Sequence, residues 1–405
     1  MKTKPTLALA TILLFVGFIS VSYMYFSFEY QNDVGRYAVS VMEKCSAEPY
    51  PPSCYDREIP KLMDQGLSME DAFVVTSLIQ KQDSRYYYCH VLGHNLSARE
   101  AAKDPSDWLS VLGRCPVGQC SNGCLHGAFQ ERFRDEVVPE NDYRTLIQQF
   151  PTICDDSALR TFTGQERSSC YHALGHLAMY INQADVDRSL ALCDTLPETR
   201  TFDYSLTCYD AVFMQVYQPL DPEDIALVQD IAPTSPEEAR NFCDLFPSVA
   251  RGACNREAWP FFLEEIKTAE GIVAFCSVQE PGYSTRRCYG HALNVLTAHF
   301  EFDEMRLEAV CSALPKERQG QCYGDIAARF IEIDDAFISR ASGFCRKADT
   351  AGVGEPCWTE LLFYVSLNAE AGTERFATFC QVFPSEEWIA RCLMNEGAAL
   401  STYDI

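Results

Sequence analysis

The chain has 405 residues, 47% of them apolar and 22% charged, with a formal net charge of -24 at pH 7. That is the composition of a folded protein, long enough for two or three ordinary domains or one long repeat array. So acidic a surface repels nucleic acid, which is excluded as a partner, and anionic lipid head groups; cationic partners and metal ions fit it better, with solubility alone as the competing reading.

At the N-terminus, Lys2 and Lys4 precede an uncharged run from Pro5 to Phe28, followed by Glu29 and Asp33. A bilayer needs only about 20 apolar residues, and signal-peptide cores are usually about 7–15. The run therefore reads as an uncleaved signal anchor, and its charge order places the N-terminus in the cytoplasm. Residues 1–30 are expected to form a cytoplasmic stub and transmembrane helix. Residues 31–405 then form a periplasmic or extracellular domain of a single-pass membrane protein.

The 20 cysteines include no C-x-x-C, which argues against thioredoxin-like, haem c and zinc-ribbon chemistry. In an oxidising compartment they pair as disulfides. One series lies at 54, 89, 124, 170, 208, 254, 288, 322, 357 and 392, in steps near 35 apart from two of 46. The two long steps carry insertions around "RDEVVPEND" and "YQPLDPEDIALVQDIAPTSPEE", with the Pro, Asp and Glu of surface loops. A second series precedes the first by 9 to 16 residues, at 45, 115, 154, 193, 243, 276, 311, 345 and 380. Segments such as "DVDRSLALC" and "SPEEARNFC" read as short helices ending in the early cysteine. The later cysteine opens a longer helix. In "CYGDIAARFIEI", for example, Ile326, Phe330 and Ile333 share a face.

The unit is thus a short helix, a turn and a long helix, with one disulfide joining the two. The spacing predicts bridges 45–54, 115–124, 154–170, 193–208, 243–254, 276–288, 311–322, 345–357 and 380–392, with 89–120 by elimination. Each closed loop of that size is worth about 3 kcal/mol on the chain-entropy model. The expected fold is all-α: a right-handed, disulfide-stapled αα-solenoid of about 9–10 helical-pair repeats behind one transmembrane helix. With its "CYHALG" opening one helix and "DRSLALC" closing the next, this layout resembles the cysteine-rich Sel1-like repeat proteins, of the tetratricopeptide type. The Gly-x-Gly-Val turn of those repeats is missing here. The resemblance implies a scaffold that binds a protein or an envelope component such as peptidoglycan, with no catalytic residues to carry over.

Five of the seven histidines are His90, His94, His126, His172 and His176. Residues four apart on a helix share a face, so His90/His94 and His172/His176 each present two imidazoles, half of a zinc site. His126, on the helix between, is expected to reach one pair or the other. In a regular stack the two pairs would stand roughly 20 Å apart, with axes spaced at 8–10 Å. Glu131 and Glu100 are further candidate ligands. The competing reading starts from a recurring slot two or three residues after each late cysteine. It holds His126, His172, Asp210, Glu257, His291, Asp325 and Glu360. If this is the first turn of each helix, these residues merely serve its free N–H groups and dipole.

Serine elbows, P-loops and dinucleotide fingerprints are absent. The only glycosylation sequon, at Asn95, falls mid-helix, and Tyr86–Tyr88 read as a packed helix face. Two functions follow. The first is a membrane-anchored scaffold for a protein or envelope partner. The second is a histidine-based centre for Zn²⁺ or a similar divalent ion, extending to a metallohydrolase, with affinity falling below about pH 6.

Overall fold

The computed structural model describes residues 34–400 except 84, 87, 134–143, 145–146, 149, 157–160, 198–202 and 220–221. The expected membrane span Pro5–Phe28 and the "RDEVVPEND" insertion lie outside the described residues. Among those described, no helix is long and apolar enough to cross a membrane. The described chain is all-helical, without strands. It forms two compact units, one up to Tyr87 and one from Tyr88 onward.

In the first unit residues 34–45 are helical. They precede α1 (Pro51–Asp64) and α2 (Met69–Gln80), with Cys45 bonded to Cys54. Proline suits the start of α1, because the N–H it lacks would have no helical partner there. Ser68 caps α2 by accepting from the Asp71 N–H. Tyr86 is buried, donates to Asp56 at 2.8 Å and meets the Tyr55 ring edge-on at 5.0 Å. Tyr86 and Tyr88 lie in the connection ahead of the helix that opens at His90, not on a helix face as expected, and Tyr87 is outside the described residues.

The second unit is built on eight helices: α3 (His90–Ala101), α4 (Gly123–Phe133), α5 (Gly164–Ile181), α6 (Tyr204–Tyr217), α7 (Ser248–Glu257), α8 (Tyr283–His299), α9 (Lys316–Ile333) and α10 (Gly354–Asn368). Each packs against the next in chain order. Shorter helices such as Val186–Cys193, Pro236–Cys243 and Ala269–Cys276 stand between them. Their first turns are closed by Asp185, Ser235 and Thr268, whose side chains accept from free backbone N–H groups. All ten disulfides match the pairing read from the spacing, Cys89–Cys120 included. Their cysteines are buried, and in the second unit Phe213, Leu296, Ile326, Phe330 and Leu361 are buried too.

Two features differ from expectation. The long helices start before the late cysteine: α5 opens at Gly164, ahead of Cys170, and α9 at Lys316, ahead of Cys322. Thr163 with Glu166 forms a capping box that starts α5 there. The recurring polar slot therefore sits beyond the first turn in every case but His126, and capping does not explain it. The row of helices also bends back on itself. α10 packs against α5, with Leu367 over Gly164, and α9 packs against the turn Cys120–Asn122. The slots consequently face a shared interior.

Candidate metal centre

The five histidines form one cluster. The His126 ring lies 4.9 Å from His90 and 4.8 Å from His94, and also 5.4 Å from His172 and 5.9 Å from His176. The expected separation of the two pairs by roughly 20 Å is therefore wrong, because the helices carrying them converge instead of stacking at a regular spacing. Glycine permits the closest of these approaches. A Cβ on Gly123 would lie 2.1 Å from the His90 carbonyl oxygen, and one on Gly127 only 2.0 Å from that of His94. Without side chains at these points, α3 and α4 touch backbone to backbone, and three imidazoles meet across the seam.

In His90, His94 and His126, one ring nitrogen from each lies within 4.8 Å of the others, the one such group among the described residues. Their hydrogen bonds assign the tautomers. His90 Nδ1 faces the carbonyl oxygens of Cys120 and Ser121 at 3.3 and 3.2 Å, so it carries the proton and donates. His94 Nδ1 donates to Gln130 Oε1 at 3.1 Å. His126 Nε2 donates to the Ser169 carbonyl at 3.2 Å, leaving its buried Nδ1 without a protein partner. Each ring thus keeps one bare lone pair. The Nε2 atoms of His90 and His94 face each other at 3.1 Å with no proton to share. Two nitrogens bound to one tetrahedral zinc at about 2.0–2.1 Å stand a little over 3 Å apart. This arrangement suits a divalent cation, and carbonyl partners behind the rings are the outer shell that fixes metal-binding imidazoles.

His172 and His176 continue the cluster from α5. His176 Nδ1 donates to Gln215 Oε1 at 2.6 Å, as His94 does to Gln130. The slot residue opposite this second pair is Asp210 rather than histidine. It is tied up by Arg256 and Arg287, both at 2.5 Å. Of the other proposed ligands, Glu100 pairs with Lys103 and Arg114 at 2.7 Å, and Glu131 is outside the cluster.

Burial dominates the titration of this wall. It lowers His90 from 6.5 to about 4, with the positive charge of Arg329 as the next contribution, and lowers His172 to about 3. His94 and His126 are held well below the ordinary imidazole range by burial, with the charge of His90 adding to it at His94 and those of His94 and His90 at His126. All are therefore neutral, ready ligands well below the expected limit of about pH 6.

The histidines form one wall of a cavity of about 580 Å³, within the size range of small-molecule sites. His90, His126 and His172 face it from one side, and Glu257, His291, Asn294, Arg329 and Glu332 from another. Trp259, Leu263 and Val295 add an apolar stretch. A smaller polar cavity of about 200 Å³ adjoins it, lined by Arg286, Asp325, Glu360 and Tyr364 and sharing Asp210, His291 and Asn294. Arg286 pairs with Glu360 at 2.6 Å, whereas Glu257 and Asp325 have no arginine of their own. Burial raises both carboxyls well above their usual range, with Asp210 and Glu360 respectively adding to the shift. Asp210 is the opposite case: burial alone would raise it, but Arg256 and Arg287 outweigh that and hold it low.

All seven histidines lie on this cavity or directly behind it, His291 and His299 included. Sequence reasoning did not single out Gln130, Gln215, Arg256, Arg286, Arg287 or Arg329. Arginine and glutamine on amphipathic helices look like solvent-facing residues, and only the back-bending of the helix row turns them inward. No protein-family model, no curated protein and no solved structure matches this chain.

Proposed function

We propose that the chain is a metalloprotein in which His90, His94 and His126 hold Zn²⁺ or a similar divalent ion at the wall of a small-molecule cavity. We read it as a metal-dependent hydrolase. The observation carrying this is the meeting of three bare imidazole lone pairs, each ring fixed from behind by a carbonyl or carboxamide. A zinc ion with three protein ligands keeps an open position and lowers the pKa of a bound water to about 7. The chain's own residues supply the rest. His291 places Nδ1 3.7 Å from Glu257 Oε1, while its buried Nε2 has no protein partner, so it is set to move a proton within the cavity. Trp259, Leu263 and Val295 exclude water from one side.

The helix pairs are read here as a solenoid curled onto itself. Its inner face is then this cavity rather than a long groove for a protein or peptidoglycan strand. That favours the metal reading over the Sel1-like scaffold. Anchoring through residues 5–28 would place the cavity outside the cytoplasm, where ten disulfides persist. The test is cobalt titration of the full chain. Four-coordinate Co²⁺ on imidazoles absorbs strongly in the visible, and this band should saturate near one equivalent and vanish in His126→Ala. Absence of a saturable band in the parent protein would reject the reading.

A further inference from the structure

We infer that the cavity takes a small organic anion, a carboxylate or a phosphate ester with an apolar body, anchored by Arg329 beside the trihistidine centre. The inference rests on the metal reading for its chemistry but not for its test. Arg329 sits on α9, the helix that packs against Cys120–Asn122, the turn whose carbonyls accept from His90. It lines the same cavity as His90, His126 and His291. Glu257, the partner of His291, lines that cavity as well.

The other arginines here are engaged. Arg256 and Arg287 share Asp210, and Arg286 holds Glu360. Arg329 has one carboxylate, Glu332 at 3.0 Å, and its side chain is only 15% exposed. Its Nε–H is buried without any partner. Guanidinium offers five donors in a planar fork matched to two oxygens of one anion. An orphaned donor of that kind carries a desolvation cost that a ligand oxygen relieves.

The remainder of the cavity selects the ligand's body. Met214, Trp259, Leu263, Val295 and Ala298 give an apolar wall that inorganic anions would leave unfilled. With its anionic group on Arg329, such a molecule lies between the three histidines and His291. A bond next to the anchored end is then within reach of both. The recognised feature is the oxyanion, and the body is aryl or alkyl.

Calorimetric titration of the full chain, with zinc added and after chelation, would test this. Benzoate and phenyl phosphate represent the two anions and benzyl alcohol is the neutral control. We expect one or both anions to bind, tightest with zinc present, and Arg329→Gln to weaken binding about tenfold or more. Arg329→Lys should keep part of the affinity, and Trp259→Ala should weaken benzoate more than acetate. Zinc stoichiometry, measured separately, should not change in Arg329→Gln. The inference is overturned if neither anion binds at about 10 mM, if benzyl alcohol binds equally, or if Arg329→Gln and Arg329→Lys both bind like the parent. Should zinc fail to bind, the metal reading falls, but Arg329-dependent anion binding by the chelated protein still decides this inference.

Discussion

The two walls of the cavity use one structural position in opposite ways. Near the late cysteine, α3, α4 and α5 present histidine, and their rings cluster, those of His90, His94 and His126 closely enough to share a cation. The same position on α6 to α10 presents Asp210, Glu257, His291, Asp325 and Glu360, interleaved with four arginines. The disulfide and helix seam that create the position are common to both. What differs is the charge left over: neutral imidazoles call for a cation, and on the other wall Arg329 retains an unpaired donor. A repeat can thus set where polar residues meet while leaving open what they bind.

The largest effects are expected at the glycine seams. Gly127→Ala puts a Cβ 2.0 Å from the His94 carbonyl oxygen, and Gly175→Ala puts one 2.3 Å from that of Cys208. Each should cost about 3 kcal/mol in denaturant unfolding, the upper range of core overpacking. Only Gly127→Ala should also lose zinc, because α3 and α4 carry all three ligands. Equal zinc retention in both variants would sever the seam from the site.

A smaller effect is expected behind the rings. Gln130→Ala removes the acceptor for His94 Nδ1. Metal affinity measured by competition with a chelator should fall by about 10- to 100-fold, the usual cost of an outer-shell change. The corresponding Gln215→Ala, behind His176, should leave that affinity unchanged.

The walls should also respond oppositely to pH in the metal-free protein. Folded His90 titrates near 4 and His172 near 3. Their unfolded counterparts titrate at about 6.5. On acidification the unfolded chain takes up protons first, so this wall loses stability from about pH 6.5 downward. Glu257 and Asp325 are raised instead, so the unfolded chain loses those protons first. Their contribution is present below about pH 4.5 and is lost as pH rises. Glu257→Gln should therefore gain stability relative to the parent between about pH 5 and 8. A urea series that showed a relative loss across that window would contradict the assignment.

The smallest effect separates the cavity from the surface. Glu100→Ala breaks two surface ion pairs and should cost at most about 1 kcal/mol without altering metal content.

Much of the fold was legible in the sequence because the cysteine spacing is local. Nine of the ten bridges close an interval of 9 to 16 residues, so their pairing follows from spacing, and Cys89–Cys120, 31 residues apart, follows only by elimination. The slot was legible too, as a list of residues from His126 to Glu360. Its meaning was not, for two physical reasons. The helix starts are set upstream by groups such as Thr163 and Glu166, which moves the slot out of the first turn. The curvature that brings α10 onto α5 depends on contacts between residues as far apart as Gly164 and Leu367, and no period records that. The histidines were found by their i, i+4 spacing. Arg329 and Gln130 carry no such pattern and emerged only from the geometry.

The central claim is tested most directly by elemental analysis of the untagged, full-length chain purified without chelators, beside His90→Ala/His126→Ala. About one zinc or similar divalent ion per parent chain is expected. The double variant should lose the metal while all ten disulfides and the helical circular dichroism are retained. A metal-free parent that shows no thermal shift with added zinc, or a double variant that keeps its metal, would contradict that claim.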